Sequence, residues 1–248
     1  MAYQSVFKRY ELKYMLTAEQ KERILEAMEP YMALDKYGRT TIRNIYFDTA
    51  NYRLIRRSME KPEYKEKLRI RSYQKATEDS TVFVELKKKY KKVVYKRRIS
   101  MTEAEAMAWI CEGKKPPVQT QITREIDYFC EFYENMRPAV YLSYEREAYF
   151  EKNGGDFRVT FDDNILCRQT ELSLCSDPYG DPLLPPGKVL MEIKCSGGMP
   201  LWMVHVLTEL RIFKTSFSKY GTGYATLIYP KLKQIQAPND TKEINTYV

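Results

Sequence analysis

Hydrophobic and polar positions along this chain follow two periods, and the switches between them mark its elements. Several stretches alternate at period two, as in strands whose successive side chains point to opposite faces. In 7–14, Arg9, Glu11 and Lys13 share one face and Tyr10, Leu12 and Tyr14 the other. In 67–73, Lys67, Arg69, Arg71 and Tyr73 oppose Leu68, Ile70 and Ser72. In 82–89, Phe83, Glu85, Lys87 and Lys89 oppose Val82, Val84 and Leu86. Residues 93–99 set Lys96 and Arg98 against Val93, Tyr95 and Ile99. Residues 157–162 set Arg158, Thr160 and Asp162 against Phe157, Val159 and Phe161, and 188–194 set Lys188, Glu192 and Lys194 against Val189, Met191 and Ile193. Short polar connections at 74–81 and 90–92 predict consecutive hairpins in an antiparallel meander.

Helical spacing appears four times. Thr17 to Gln20 is a capping box, followed by Ile24, Leu25, Met28 and Met32. Ser100 to Glu103 reads as a second box, opening a short helix through Met107 and Ile110 that Gly113 and Pro116–Pro117 stop. Residues 121–136 carry Ile122, Ile126, Phe129, Cys130 and Tyr133. Pro200 suits the first position of a fourth helix, with Leu201, Val204, Leu207 and Leu210 as its apolar stripe. The Pro- and Gly-rich stretch 176–187 is expected to be irregular. No linker divides the chain, so the expectation is one domain over 1–229 and a polar tail over 230–248.

Composition narrows the class. At 248 residues, 44% hydrophobic and 30% charged, the chain has enough apolar content to bury a core, which excludes global disorder. No apolar run approaches a membrane span. The five cysteines form no CxxC pair and read as reduced thiols, and Met1 to Ser5 does not resemble a secretory leader; both lead to a cytoplasmic expectation. His205 is the single histidine, which argues against histidine triads and multi-histidine metal sites. Lys and Arg total 41 against 33 Asp and Glu, a net charge of +8 that favours an anionic partner.

From periodicity alone, the charged strand faces fit the solvated side of an ordinary sheet. Their sign balance fits an interior instead. Solvated faces mix signs, because opposite charges across strands help and like charges hurt. Here Lys13, Arg69, Arg71, Lys87, Lys96, Arg98, Arg158 and Lys194 meet few carboxylates. The exceptions repeat one pattern, Glu11-x-Lys13, Glu85-x-Lys87 and Glu192-x-Lys194. If these faces converge, carboxylates suited to Mg²⁺ or Mn²⁺ and cations suited to phosphate oxygens share one cavity. A closed barrel with a charged interior and helices outside would build it.

These stretches resemble the VTC (vacuolar transporter chaperone) domain, the polyphosphate polymerase domain of the triphosphate tunnel metalloenzyme (CYTH-like) superfamily. The resemblance rests on Arg9–Tyr14, Ile45–Thr49, Lys67–Tyr73, Val84–Lys87, Tyr144–Tyr149, Arg158–Asp162, Leu190–Lys194 and Phe217–Tyr220, which occur in family order. It implies an α+β fold built on an eight-stranded antiparallel β-barrel, a triphosphate tunnel with a charged lumen and helices packed on the outside. It implies that Lys13, Arg69, Arg71, Lys87, Arg146, Arg158, Lys194 and Lys219 contact phosphate. Glu192 is implied as the principal ligand of Mn²⁺ or Mg²⁺, with Glu85 and Glu11 as secondary candidates that alternatively hold basic side chains. Asp48 and Asp162 read as hydrogen-bonding partners of Arg or Tyr, and His205 as structural.

One departure matters. The hydrolase branch of that superfamily resembles Glu-x-Glu-x-Lys on its first strand, whereas this chain has Arg9-x-Glu11-x-Lys13. The arginine favours the polymerase-like branch and leaves the number of metals open. The implied activity is metal-dependent phosphoryl transfer, foremost polyphosphate synthesis from the γ-phosphate of ATP. Hydrolysis of tripolyphosphate or nucleoside triphosphates, and non-enzymatic binding of polyphosphate or nucleotide, are the alternatives. The implied partners are ATP or another nucleoside triphosphate, polyphosphate or pyrophosphate, and a membrane-protein partner not encoded in this chain. Within the run Lys87 to Lys92, Lys88 and the turn lysines read as a solvated hairpin able to attract polyphosphate or RNA to the tunnel mouth. The 21 tyrosines do not form a base-stacking platform, so no specific nucleic-acid partner is expected.

Overall fold

Every strand pair among the described residues is antiparallel. The computed structural model describes residues 10–91 and 93–236. Eleven strands form one sheet: β1 (Tyr10–Thr17), β2 (Met32–Leu34), β3 (Thr40–Asp48), β4 (Tyr64–Ser72), β5 (Thr81–Tyr90), β6 (Val93–Thr102), β7 (Arg137–Glu151), β8 (Arg158–Arg168), β9 (Asp181–Pro182), β10 (Lys188–Cys195) and β11 (Lys214–Thr215). The helices are α1 (Ala18–Met28), α2 (Arg53–Met59), α3 (Glu103–Glu112), α4 (Gln121–Tyr133), α5 (Leu201–Glu209), α6 (Lys219–Gly223) and α7 (Tyr229–Gln236); a π-type segment, Tyr224–Ile228, joins the last two. No helix among the described residues is long and apolar enough to cross a membrane.

The strands follow the order β11-β1-β10-β8-β7-β3-β4-β5-β6, with β2 added to β7 and β9 to β8. This corrects the expected closed eight-stranded barrel. Eight strands are long, but among the described residues no backbone ladder joins β6 to β1 or β11. The sheet curls, and side chains span the gap: Lys87 of β5 reaches Glu11 of β1 at 3.2 Å, and Lys67 of β4 reaches Ser218 before α6 at 3.0 Å.

The alternation of each strand sorts its residues between two environments. On the outer face, Leu68, Ile70, Val82, Val84 and Leu86 pack with Trp109 of α3 and Ile126 and Phe129 of α4. A second outer cluster sets Leu16, Val159, Phe161, Met191 and Ile193 against Ile24 and Met28 of α1 and Met203 and Leu207 of α5. The third cluster corrects the expectation that all helices lie outside. Ile42, Leu142 and Leu190 share a sheet face with the charged residues, yet pack against Ile55 of α2 and Tyr220, Tyr224 and Ile228 of the C-terminal helical segment. These helices therefore stopper one end of the inner face with apolar side chains.

Three capping boxes form, one of them displaced from its expected place and one, at Thr120 and Thr123, not expected. Thr17 caps α1 with Gln20 reaching back. The second box uses Thr102 and Glu105, because β6 runs through Ser100 to Thr102 before α3 begins. Thr120 caps α4, which ends at Tyr133. In α5, Pro200 is the N-cap, and the buried stripe is Met203, Val206 and Leu207; Leu201 is 74% exposed and Val204 39%, so the expected stripe is turned. Helix α7 continues through Pro230, where the tail was expected to begin. Residues 237–248 of that tail and Arg9 of the first strand lie outside the described residues.

Asp48 organises the stopper. Its buried carboxylate accepts the backbone N–H groups of Thr49, Leu54 and Ile55 at 2.8–3.0 Å, capping α2, and the Tyr220 hydroxyl at 2.9 Å. Gly223 lets the C-terminal segment touch β8, since a Cβ there would fall 2.8 Å from the Cys167 sulfur.

Candidate functional site

Three neighbouring strands build one wall of a hollow on the inner face. Register sets Arg71 beside Phe83, Arg69 beside Glu85 and Arg98, and Lys67 beside Lys87 and Lys96. The opposite wall sets Lys13 beside Glu192, Glu11 beside Lys194, and Lys194 beside Arg158, while Arg146 pairs with Asp162 across β7 and β8. The hollow between them has a volume of about 1040 Å³. Twelve lysines and arginines line it against two glutamates, so its field is strongly positive.

All eight phosphate-contact candidates line this hollow: Lys13, Arg69, Arg71, Lys87, Arg146, Arg158, Lys194 and Lys219. So do Glu192 and Glu11. Glu85 does not: its carboxylate, on the same face, is 1% exposed and lies beneath the lining cations, held by Arg69 at 2.6 Å, Lys96 at 2.6 Å and Arg98 at 3.1 Å. That is the alternative read for it from sequence, a holder of basic side chains. Burial pushes the Glu85 carboxyl up, but Arg69, Arg71 and Lys96 outweigh it and hold it well below the usual range.

Asp162 plays the same part on the other wall. Fully buried, it takes a bidentate pair from Arg146 at 2.5 and 2.6 Å and a third contact from Lys219 at 2.5 Å. Glu192 lies 2.9 Å from Lys194 and 3.3 Å from Lys13, which also lies 3.4 Å from Glu11. Burial raises the Glu192 carboxyl, while Lys194, Lys13, Lys219 and Arg146 hold it well below its ordinary value. Glu11 is also lowered: burial and Glu192 raise it, and Lys87, Lys13 and Lys194 prevail. Among the described residues, no three Cys, His, Asp or Glu side chains converge on a metal-sized space.

Among the described residues, some cations have no carboxylate in ion-pair contact. Arg71 is 6% exposed and donates only to neutral groups, the Asn44 amide oxygen and the Tyr144 hydroxyl, each at 2.8 Å. Among the described residues no carboxylate stands within ion-pair distance of it. Lys67 donates to Ser218 and likewise has no carboxylate. Burial lowers the Lys67 ammonium, Tyr46 offsets part of this, and Lys87, Lys13 and Lys65 lower it further, to about 8. Burying a cation without a partner is costly unless an anion completes the site.

Sequence reasoning did not mark Lys67, Tyr46, Tyr144 and Ser218 as site residues. Tyr46 accepts from Arg69 at 2.9 Å. Burial pushes its phenol up, but Arg69, Lys67 and Arg71 bring it down to about 8. Ser218 caps α6 and accepts from Lys67, and Lys13 donates to the Phe217 carbonyl at 3.0 Å, so both walls grip the segment that carries Lys219. Lys67 was legible as part of the charged alternation; the tyrosines read as apolar.

The curled antiparallel sheet has counterparts among solved structures. A Bacillus halodurans protein provisionally assigned as an adenylate cyclase shares it, with a TM-score of 0.52 at 13% identity over 86% of this chain and 94% of that one. A similarly assigned Vibrio parahaemolyticus protein gives 0.47 at 11% identity, over 88% and 98%. A provisional adenylyl cyclase from Hippeastrum with a dominant triphosphatase activity gives 0.49 at 11% identity, over 87% and 94%. No curated protein matches the chain. The VTC domain profile matches residues 8–228, and the chain belongs to the VTC domain family.

Proposed function

We propose that this chain catalyses metal-dependent phosphoryl transfer on triphosphates, and in particular makes polyphosphate from the γ-phosphate of ATP. The observation that carries the reading is Arg71, a buried cation in a basic hollow with only neutral partners. Membership of the VTC domain family supports the same substrate chemistry. A terminal oxygen of the acceptor chain attacks the γ-phosphorus, the bond to the β,γ-bridging oxygen breaks, and ADP leaves with its electron pair. Such a reaction asks the protein mainly for alignment and charge stabilisation.

The two walls divide that work. Arg69, Arg71, Arg146 and Lys219 hold phosphate oxygens in line, with Lys13, Lys87, Arg158 and Lys194 along the same track. Glu85 and Asp162 position the cations above them. The oxygen donors Glu192 and Glu11 fit Mg²⁺ or Mn²⁺, which accept a few carboxylates when phosphate and water complete the shell. A cation bound there would offset charge on the phosphate oxygens.

The test is to incubate the purified protein with ATP and Mn²⁺ or Mg²⁺, with and without a tripolyphosphate primer, and separate products by chain length. Long chains with ADP are the expected result. Orthophosphate alone would make it a hydrolase, and untouched ATP a binder. Neutralising Arg69 or Glu192 is expected to abolish turnover while leaving the fold intact; wild-type rates in either variant would overturn the assignment.

A further inference from the structure

Beyond the hollow, the β4–β5 hairpin continues the lysine pattern outward. Two residues past Lys67 and Lys87, and on the same face, Lys65 stands directly opposite Lys89. Neither residue lines the hollow, and both are half-buried. Among the described residues neither forms a side-chain hydrogen bond or an ion pair. Like charges placed directly across a ladder destabilise it, because their Cβ atoms are only about 5 Å apart. Two such rungs in succession, Lys67–Lys87 and Lys65–Lys89, repeat that cost. Burial, then Lys89, Lys13 and Lys61, pulls the Lys65 ammonium below its usual range.

The neighbouring lysine behaves differently. Lys88 falls on the outer face, 3.9 Å from the buried carboxylate of Glu66. That carboxylate also accepts from Tyr64 and Tyr133, tying the hairpin to α4. The lysine run is therefore two sets, one tied to the outer packing and one extending the track of the hollow.

We propose that Lys65 and Lys89 form an outer phosphate subsite that takes the part of a polyphosphate chain projecting beyond the hollow. The pair makes the protein discriminate by chain length: a triphosphate fills the hollow alone, and a longer chain also reaches this rung. The inference rests on the reading of the hollow as a triphosphate site and adds a place where chains longer than three phosphates gain affinity. A chain of closely spaced negative charges lying between the two ammonium groups also removes their mutual repulsion.

Calorimetric titration with tripolyphosphate, long-chain polyphosphate and single-stranded RNA at fixed ionic strength tests it. The wild type is expected to bind long chains more tightly than tripolyphosphate. A Lys65→Ala, Lys89→Ala double variant is expected to lose about tenfold affinity for long chains, with a shallower salt dependence, and to keep tripolyphosphate affinity within about twofold. A Lys88→Ala, Lys91→Ala variant removes the same charge from the same hairpin and is expected to keep the length preference. Unchanged long-chain affinity in the first variant, or an equal loss for tripolyphosphate, would overturn the subsite. RNA binding as tight as polyphosphate and equally sensitive would make the rung a general polyanion surface, contrary to the proposal. Failure of the wild type to bind tripolyphosphate would instead overturn the reading of the hollow. The melting midpoint of the Lys65→Ala, Lys89→Ala variant is expected at or above the wild-type value, since it removes like charges that face each other across a ladder.

Discussion

Arg71 carries its charge among neutral groups, and that isolation gives the sharpest residue-scale expectation. Replacing it with methionine removes a cation without stranding a carboxylate. Triphosphate affinity is expected to fall roughly 10- to 100-fold, the range for losing charge-assisted hydrogen bonds, while unfolding stability stays within about 1 kcal/mol. Binding isotherms and denaturant melts of one variant check both halves. Protonation gives a second expectation. Lys67 and Lys96 are both brought down to about 8, by burial first in each case, and Tyr46 also to about 8. As pH rises through 8 the two ammonium groups lose charge and the phenol gains it, so affinity for a triphosphate falls. Binding at pH 8.5 is then expected to take up protons, seen as a heat that depends on the buffer, and Lys67→Met to reduce that uptake. The sign for folding is opposite. From about pH 8 up to the ordinary lysine value, the unfolded chain holds more protons at Lys67, and that residue's contribution to stability rises with pH. The strand residues Lys13, Arg69, Arg71, Lys87, Arg158 and Lys194 were legible because they recur at every second position, whereas Arg146 and Lys219 were visible only through the family resemblance. Tyr46 and Tyr144 were not legible, because a tyrosine in a strand looks the same whether its ring fills a core or its hydroxyl meets an arginine.

Among the elements, legibility followed exposure. Strands with one wet face alternate, and β1, β4, β5, β6 and β10 were read within about three residues, while only the first half of β8 was read. β3 is buried along most of its length, so its sequence shows no period, and the long β7 is buried through its first half. Both were visible only as fragments of a family resemblance. Helix α2 lacks a side-chain cap at its own N-terminus, where Tyr52 is left-handed; Asp48 supplies the cap from β3, a partner no local pattern announces. The misplaced capping box gives a direct comparison. Thr102→Ala is expected to cost about 1 kcal/mol of stability, and Ser100→Ala to stay within about 0.5 kcal/mol, in parallel melts. Asp48→Ala strands three backbone donors and the Tyr220 hydroxyl together, and is expected to cost about 2–4 kcal/mol.

For the whole molecule, the charge balance of the interior governs stability. Cations outnumber carboxylates in the hollow, so their mutual repulsion works against the folded state until an anion arrives. Added salt is expected to raise the melting temperature of the ligand-free protein. Tripolyphosphate at about 100 times its dissociation constant is expected to add about 2.7 kcal/mol, or roughly 5–10 °C for a chain of this size. Thermal scans across salt and ligand concentration check both. The overall class was legible because an excess of one charge on inward faces has few other architectures. Closure was not: whether the last strand meets the first depends on tilt and shear, which alternation does not encode.

The period-two division of these strands has an evolutionary consequence. Along Leu68–Arg71 or Val82–Leu86, one residue serves the outer core and the next serves the hollow. Mutations that retune the hollow therefore fall at different codons from those that hold the wall together. A lineage can exchange one anionic cargo for another by rewriting alternate letters, and the sheet beneath it need not be solved again.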